Sequence, residues 1–112
     1  MEVWAKAKYL RIAPIKARLV ADAIKGKDIE SALAILAFLP NRSAPMLAKV
    51  VKSAVANAEN NYGLDPASLF VCRVAVDDGP RLKRVRAKAR GRPGPYVKRM
   101  SHVTIVVDER EA

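Results

Sequence analysis

The first part of the chain alternates small or apolar residues with basic ones and then changes to helical spacing. The alternation covers residues 3–12, and its period of two predicts a half-exposed strand. Pro14 then suits the first turn of a helix, and Gly26 suits the position just past its end. An apolar stripe at helical spacing predicts the buried face of this helix, and it consists of Ile15, Leu19 and Ala23.

Two further helices are predicted from the next part of the chain. Asp28 is a suitable N-cap for a helix whose apolar positions recur as far as Leu39, where Pro40 ends it. Ser43 is a suitable N-cap for the third helix, because Pro45 then falls in the first turn, where a missing N–H does no harm. This third helix has the most regular apolar pattern of the chain: Leu47, Val50, Val51, Ala54, Val55 and Ala58.

Two runs rich in β-branched residues predict the remaining strands, over 69–76 and 102–107. About 25 residues with almost no large apolar side chain separate them. If the two runs pair as antiparallel neighbours, the residues between them form an extended β-hairpin over about 80–99, with its tip near Gly91 to Pro95. A single domain over 1–112 is expected, with a globular part from 1–80 and 100–108. The residues from Asp108 onward are expected to form a frayed tail.

The charge of the chain is concentrated in the predicted hairpin. The chain has 21 Lys and Arg against 11 Asp and Glu, which gives a net charge of +10 and favours a polyanionic partner. Residues 79–107 contain nine of these basic residues and no acidic one. The nine are Arg81, Lys83, Arg84, Arg86, Lys88, Arg90, Arg92, Lys98 and Arg99.

Five of these basic residues occupy every second position from Arg84 to Arg92. In an extended chain they would share one face at intervals of about 6.7 Å. Like charges in a row repel each other, so such a ladder is useful mainly when a polyanion lies along it. Arginine suits RNA because its guanidinium bonds two phosphate oxygens and stacks on bases. The pattern therefore favours an RNA-binding arm over its alternative, a solvated basic loop.

Several other classes of protein are disfavoured. One cysteine, Cys72, and one histidine, His102, cannot form an internal disulfide or a zinc site, so no metal or cofactor is expected. No catalytic set of nucleophile, base and oxyanion donor can be assembled, so an enzyme is not expected. No run of about 18 apolar residues and no secretory h-region is present, which predicts a soluble cytoplasmic protein without a membrane partner.

A DNA-binding regulator is the main rival function. The first two predicted helices join through Gly26 in the manner of a helix-turn-helix pair. The recognition helix would then span residues 28–39, which carry two acidic residues and no basic one. Such a helix is unsuited to the major groove, so DNA is not an expected partner.

Five segments of the chain resemble the L-twenty-two (uL-twenty-two) family of large ribosomal subunit proteins, bacterial type, and the resemblance spans nearly the whole chain. Ala13 stands where the family commonly has Ser, and Pro93-Gly94-Pro95 replaces the polar residues that are usual there. The segments that carry the resemblance are Arg11 to Val20, Ala56 to Asn61, Asp77 to Pro80, Lys88 to Arg92 and Lys98 to Thr104.

The resemblance implies an α+β fold, with three helices on a small three-stranded antiparallel sheet and a long basic β-hairpin. It implies a structural protein of the large subunit that binds its ribosomal RNA and assists assembly. The partners implied are that RNA, neighbouring ribosomal proteins and the nascent polypeptide in the exit tunnel. The hairpin tip, Arg90, Gly91, Arg92 and Pro93, would line the tunnel wall. On the globular part, Arg11, Lys16 and Arg18 would contact RNA.

A few polar and aromatic residues remain open to two interpretations. His102 either contacts RNA or is a polar surface residue at a strand start. Asn57, Asn60 and Asn61 either cap the third helix or bond to RNA. Trp4 is expected to pack against the globular part rather than to stack on a base.

Overall fold

The computed structural model describes residues 2–79, 82–87, 93–98 and 100–109, and for 82–87 and 93–98 it describes the backbone alone. The predicted α+β class is confirmed, because three helices accompany a three-stranded antiparallel sheet. In chain order the elements are β1 Val3–Leu10, α1 Pro14–Ile24, α2 Ile29–Phe38, α3 Ser43–Tyr62, a short 3-10 helix Pro66–Ser68, β2 Leu69–Asp78, β3 Leu82–Ala87, β4 Pro93–Lys98 and β5 Ser101–Glu109.

The sheet has the strand order β1-β5-β2, and both outer strands are antiparallel to β5. Val107 of β5 pairs with Val3 on one side and with Val71 on the other, which places the last strand of the chain at the centre of the sheet. β5 also runs farther than expected. Asp108 pairs with Phe70 of β2, so the prediction of a frayed tail from Asp108 onward is wrong for Asp108 and Glu109.

The ends of the helices agree with the predicted stop signals better than with the predicted caps. Gly26, predicted to lie just past the first helix, follows α1 with φ of +79°, and Gly63 follows α3 with φ of +65°. Glycine adopts this left-handed conformation without strain. Asp28 occupies the N-cap of α2, although its side chain makes no cap hydrogen bond. The prediction of Ser43 as an N-cap is wrong, because α3 already begins at Ser43 and Arg42 is the N-cap residue.

The core lies between the three helices and one face of the sheet. α1 packs against β2, while α3 packs against β1 and β5. The predicted buried stripe of α1 is wrong, because Ile15 and Leu19 are 63% and 65% exposed. The helix carries two apolar stripes, and the buried one is the stripe that contains Ala17 and Ala21. The buried residues of α1 are Pro14, Ala17, Val20, Ala21 and Ile24.

Candidate nucleic-acid interface

Strands β3 and β4 form a separate two-stranded antiparallel arm, which lies between β2 and β5 along the chain. Their pairing runs from Leu82 with Lys98 to Ala87 with Pro93, a length of about 20 Å. The two strands contact each other far more than they contact any helix or strand of the globular part. The molecule measures 64 × 26 × 16 Å, and its radius of gyration is 16.9 Å. A compact domain of this length would have about 13 Å.

The arm contains the basic stretch that the sequence singles out. Lys83, Arg84 and Arg86 lie in β3 and Lys98 lies in β4, so the extended backbone that the two-residue spacing requires is present there. Gly94 and Pro95, predicted to belong to the tip, are paired with β3 and belong to β4. Pro93 forms the first residue of that strand. The remaining predicted residues of the hairpin lie outside the described residues: Arg81, Lys88, Arg90, Gly91, Arg92 and Arg99.

Where the globular part leads into the arm, the backbones of Gly79 and Met100 approach each other closely. The Gly79 N–H donates to the Met100 carbonyl at 2.8 Å, which extends the antiparallel pairing of β2 and β5 towards the arm. A Cβ at position 79 would lie 3.1 Å from both the carbonyl carbon and the oxygen of Met100, closer than ordinary contact. Glycine at this position therefore lets the two chains approach at the root of the arm.

Arg18 connects α1 to the end of β2 nearest the arm. Its guanidinium donates to the Val76 carbonyl at 2.9 Å, although the residue as a whole is exposed. One hydrogen bond uses one of the five N–H donors of the guanidinium. Arg18 thus has a structural role, and its other donors leave the predicted RNA contact open.

His102 supports an irregular part of β1. Its Nδ1 accepts the backbone N–H of Tyr9 at 3.1 Å, and the two rings meet edge to face with centroids 5.0 Å apart. Tyr9 has φ of +60°, within the interruption of register between Ala7 and Leu10. His102 is half-buried, and its hydrogen bond supports the backbone at Tyr9. Its other ring nitrogen, Nε2, is the one that an RNA contact would use.

Asn57 makes a contact that the sequence did not suggest, and Trp4 is more exposed than expected. The Asn57 amide donates to the Trp4 carbonyl at 3.2 Å, which ties α3 to β1. The backbone N–H of Gly63 bonds to the last carbonyls of α3, so no asparagine is needed to cap it. The expectation that Trp4 packs against the globular part is wrong, because 61% of it is exposed. Asn60 and Asn61 are also exposed.

The predicted RNA contacts of the globular part, Arg11 and Lys16, are both exposed. Lys16 lines a cavity of about 370 Å³ that also contains Arg42, at the beginning of α3. The sequence pattern does not single out Arg42. Its position directly before the predicted start of the third helix could have indicated it, because an arginine there adds its charge to the positive end of the helix dipole.

Glu2, Cys72 and Asp108 form a group at the outer end of β2. Their potential ligand atoms lie within 4.8 Å of one another. Glu2 is already engaged by Arg73, with an N–O distance of 2.9 Å, and both side chains are at least half exposed. The ion pair therefore contributes little to stability, and the group gives no argument for a metal. In the described parts of the chain, no helix is long and apolar enough to cross a membrane.

The comparison with known protein families is decisive. The family described as Ribosomal protein L22p/L17e matches residues 5–108. The chain belongs to this family. This membership confirms the resemblance seen in the sequence. Members of the family are structural proteins of the ribosome and not enzymes. The chain is therefore a ribosomal protein without catalytic function.

Individual members of the L22p/L17e family are similar along almost the whole chain. Large ribosomal subunit protein uL22 of Lacticaseibacillus casei (strain BL23) is 55% identical over 108 residues, which cover 96% of this chain and 92% of the relative. The protein of that name from Thermotoga sp. (strain RQ2) is 52% identical over 98% of this chain and 69% of its own length. The one from Thermoanaerobacter sp. (strain X514) is 50% identical, with 99% and 100% covered.

Proposed function

We propose that this chain is a structural constituent of the large ribosomal subunit and binds large-subunit ribosomal RNA through its arm. The observation that carries the proposal is the position of an acid-free basic stretch on a paired backbone that extends beyond the globular part. Phosphate contacts supply most of the affinity of such interfaces. Arg11, Lys16, Arg18 and His102 add contacts from the globular part.

The arm also suits a role in subunit assembly. A protein whose cations lie both on the globular part and on an extended arm can bridge RNA segments that are distant from each other. The end of the arm, Arg90 to Pro93, contributes to the wall of the nascent-peptide exit tunnel and meets the nascent polypeptide. Neighbouring ribosomal proteins are the other partners, in the ribosomes of the cytoplasm. The family resemblance supports these finer roles.

The structure gives no support to the rival DNA-binding function. α2, which would be the recognition helix, has Glu30 in its first turn and no basic residue. Its Ile29, Ala32 and Leu36 are buried against the rest of the globular part. A recognition helix must present cations and several hydrogen-bonding side chains to the major groove. α2 presents no cation, and its polar side chains are those of Glu30 and Ser31.

Neutralising two arm arginines tests the proposal. Each phosphate contact contributes about 0.7 to 0.9 to the slope of log K against log salt, so Arg84→Gln with Arg86→Gln should reduce the slope by about 1.5. Binding to a transcript of large-subunit ribosomal RNA is measured at several salt concentrations, with duplex DNA as competitor.

The matched control removes the same charge from the exposed turn after α1, as Lys25→Gln with Lys27→Gln. The control should keep the slope of the unmodified protein. An equal loss of slope in both double variants would mean that net charge alone drives binding, and the arm would lose its proposed role.

A further inference from the structure

The beginning of α3 lacks the groups that normally satisfy a helix N-terminus. The N-cap residue Arg42 has helical φ and ψ, its side chain makes no cap bond, and the first turn contains no acidic residue. Pro45 has no N–H, and the Ala44 N–H donates to the Asn41 carbonyl at 3.1 Å. Among the described residues, the N–H groups of Arg42 and Ser43 thus have no acceptor. A 20-residue helix therefore has an uncompensated positive end.

An independent observation comes from the Ser43 side chain. Ser43 is 2% exposed, and its hydroxyl is buried without a hydrogen-bond partner among the described residues. Buried hydroxyl groups in native proteins are normally paired, so an orphaned one indicates a missing partner. A serine hydroxyl also reaches several directions by rotation about χ1.

Ser43 lines the same cavity as the two cations Lys16 and Arg42. The cavity has a volume of about 370 Å³, and no acidic residue is among the described residues that line it. Lys16 comes from α1 and Arg42 from the start of α3, so the two cations approach from different elements. Apolar walls complete the cavity, and they are formed by Ile12, Ala13 and Leu19.

We propose that this cavity binds one phosphate group of an RNA backbone. The free N–H groups of the first turn, the Ser43 hydroxyl and the side chains of Lys16 and Arg42 are all donors, and a phosphate offers several acceptor oxygens to such a set. The cavity is a second attachment point for RNA, on the globular part and separate from the arm. The inference rests on the proposed RNA-binding function.

RNA is a better source of this phosphate than the free ion. The cavity is open, and two exposed cations with one helix end hold a free phosphate weakly. A phosphate of an RNA strand that the arm already holds arrives at high effective concentration, so it loses less translational freedom on binding. The cavity then sets where the globular part docks on the RNA.

Ser43→Ala gives the sharpest test, because its two expected effects have opposite signs. Removing an unpartnered buried hydroxyl should raise the thermal midpoint of the free protein. It should also weaken binding to the ribosomal RNA transcript severalfold, since the hydroxyl acquires its partner only in the complex. Arg42→Gln should weaken binding by about tenfold. The controls are Ser31→Ala and Lys25→Gln, both at exposed positions, and neither should change the affinity.

A second measurement identifies the ligand. The backbone amide resonances of Ser43 and Ala44 are followed in the full chain during titration with the RNA transcript and, separately, with inorganic phosphate. Large shifts at low micromolar RNA, and comparable shifts only at millimolar phosphate, are expected. Inorganic phosphate that binds as tightly as RNA would overturn the RNA assignment.

Two results would overturn the proposal without affecting the arm. Unchanged RNA affinity in both Ser43→Ala and Arg42→Gln would mean that the cavity holds no phosphate. A loss in Arg42→Gln with none in Ser43→Ala would mean that Arg42 acts as an ordinary surface cation. In either case, a reduced salt slope in the arm variant would still support the proposed function.

Discussion

Ser43 and Ser101 are the buried polar side chains of the described residues, and they differ in hydrogen bonding. The Ser101 hydroxyl donates to the Ile12 carbonyl at 2.6 Å and so ties the start of β5 to the loop after β1. The Ser43 hydroxyl has no such partner in the described part of the chain. The same substitution by alanine should therefore have opposite effects at the two positions.

Ser101→Ala should lower the free energy of unfolding by about 1–3 kcal/mol, because the Ile12 carbonyl would remain buried without its donor. Urea denaturation measures the change, with Ser53→Ala on the exposed side of α3 as control. An unchanged urea midpoint for Ser101→Ala would show that water replaces the lost donor.

Residue types alone did not reveal what Arg18, Asn57 and His102 do. The family resemblance implied an RNA contact for Arg18, and residue type left an RNA contact open for Asn57 and His102, with helix capping as the alternative for Asn57. In the structure each one also bonds to the backbone of another element: to Val76, Trp4 and Tyr9 respectively. These bonds join residues far apart along the chain, so no local pattern could have shown them. Their predicted contacts with RNA stay predictions.

At the scale of elements, the root of the arm lies between two sheets with different contacts. β2 and β5 belong to the buried sheet, whereas β3 and β4 contact mainly each other. The Gly79 N–H and the Met100 carbonyl lie where one pair of strands gives way to the other. The close approach there depends on the absence of a side chain at position 79.

Gly79→Ala should destabilise the root of the arm by about 1–3 kcal/mol, the usual cost of forcing extra volume into a tight contact. The added Cβ would press on the backbone of Met100, whose carbonyl accepts the hydrogen bond from the residue 79 N–H and so keeps the two chains close. Hydrogen exchange measures the effect as faster exchange of the amide at position 79.

The amides of Val103 and Ile105, at the centre of β5, serve as the internal control, since the globular core does not depend on residue 79. Unchanged protection at position 79 would mean that the chain shifts to accept the methyl group. Equal loss of protection at all three positions would mean that the root is part of the core.

At the scale of the whole molecule, the protein consists of a globular part with a buried core and a basic two-stranded arm. Where side chains are described, all buried apolar residues belong to the globular part. They lie in the helices, in β1, β2 and β5, and in the segment after β1. The arm contributes length, which explains a radius of gyration of 16.9 Å for 112 residues. The stability of the globular part should therefore be largely independent of the arm.

Replacing Arg84 to Tyr96 by Asn-Gly tests this independence. The pair Lys83 with Val97 would then be closed by a two-residue turn, a loop that suits antiparallel strands. The free energy of unfolding should change by less than about 1 kcal/mol, because the two strands that are shortened contact mainly each other. The radius of gyration by X-ray scattering should fall towards about 13 Å.

The same variant should lose about 4 from the slope of log K against log salt, because it lacks five of the nine basic residues of the hairpin. Loss of cooperative unfolding would contradict the proposed division of the chain into a globular part and an arm. The full chain and the Gly79→Ala variant, both measured in parallel, separate the loss of the arm from damage to its root.

The sequence by itself determined the α+β class, the three helices, the place of the arm and the concentration of charge in it. Periodicity, turn residues and charge runs are local properties, so they can be read without knowing what packs against them. Tertiary structure alone decided which apolar stripe of α1 is buried, and it turned Ile15 and Leu19 outward. It also brought Lys16 and Arg42 to one cavity and left the Ser43 hydroxyl there without a partner among the residues that the structure describes. These outcomes depend on how elements distant along the chain pack together, because burial and hydrogen bonding are properties of neighbours in space.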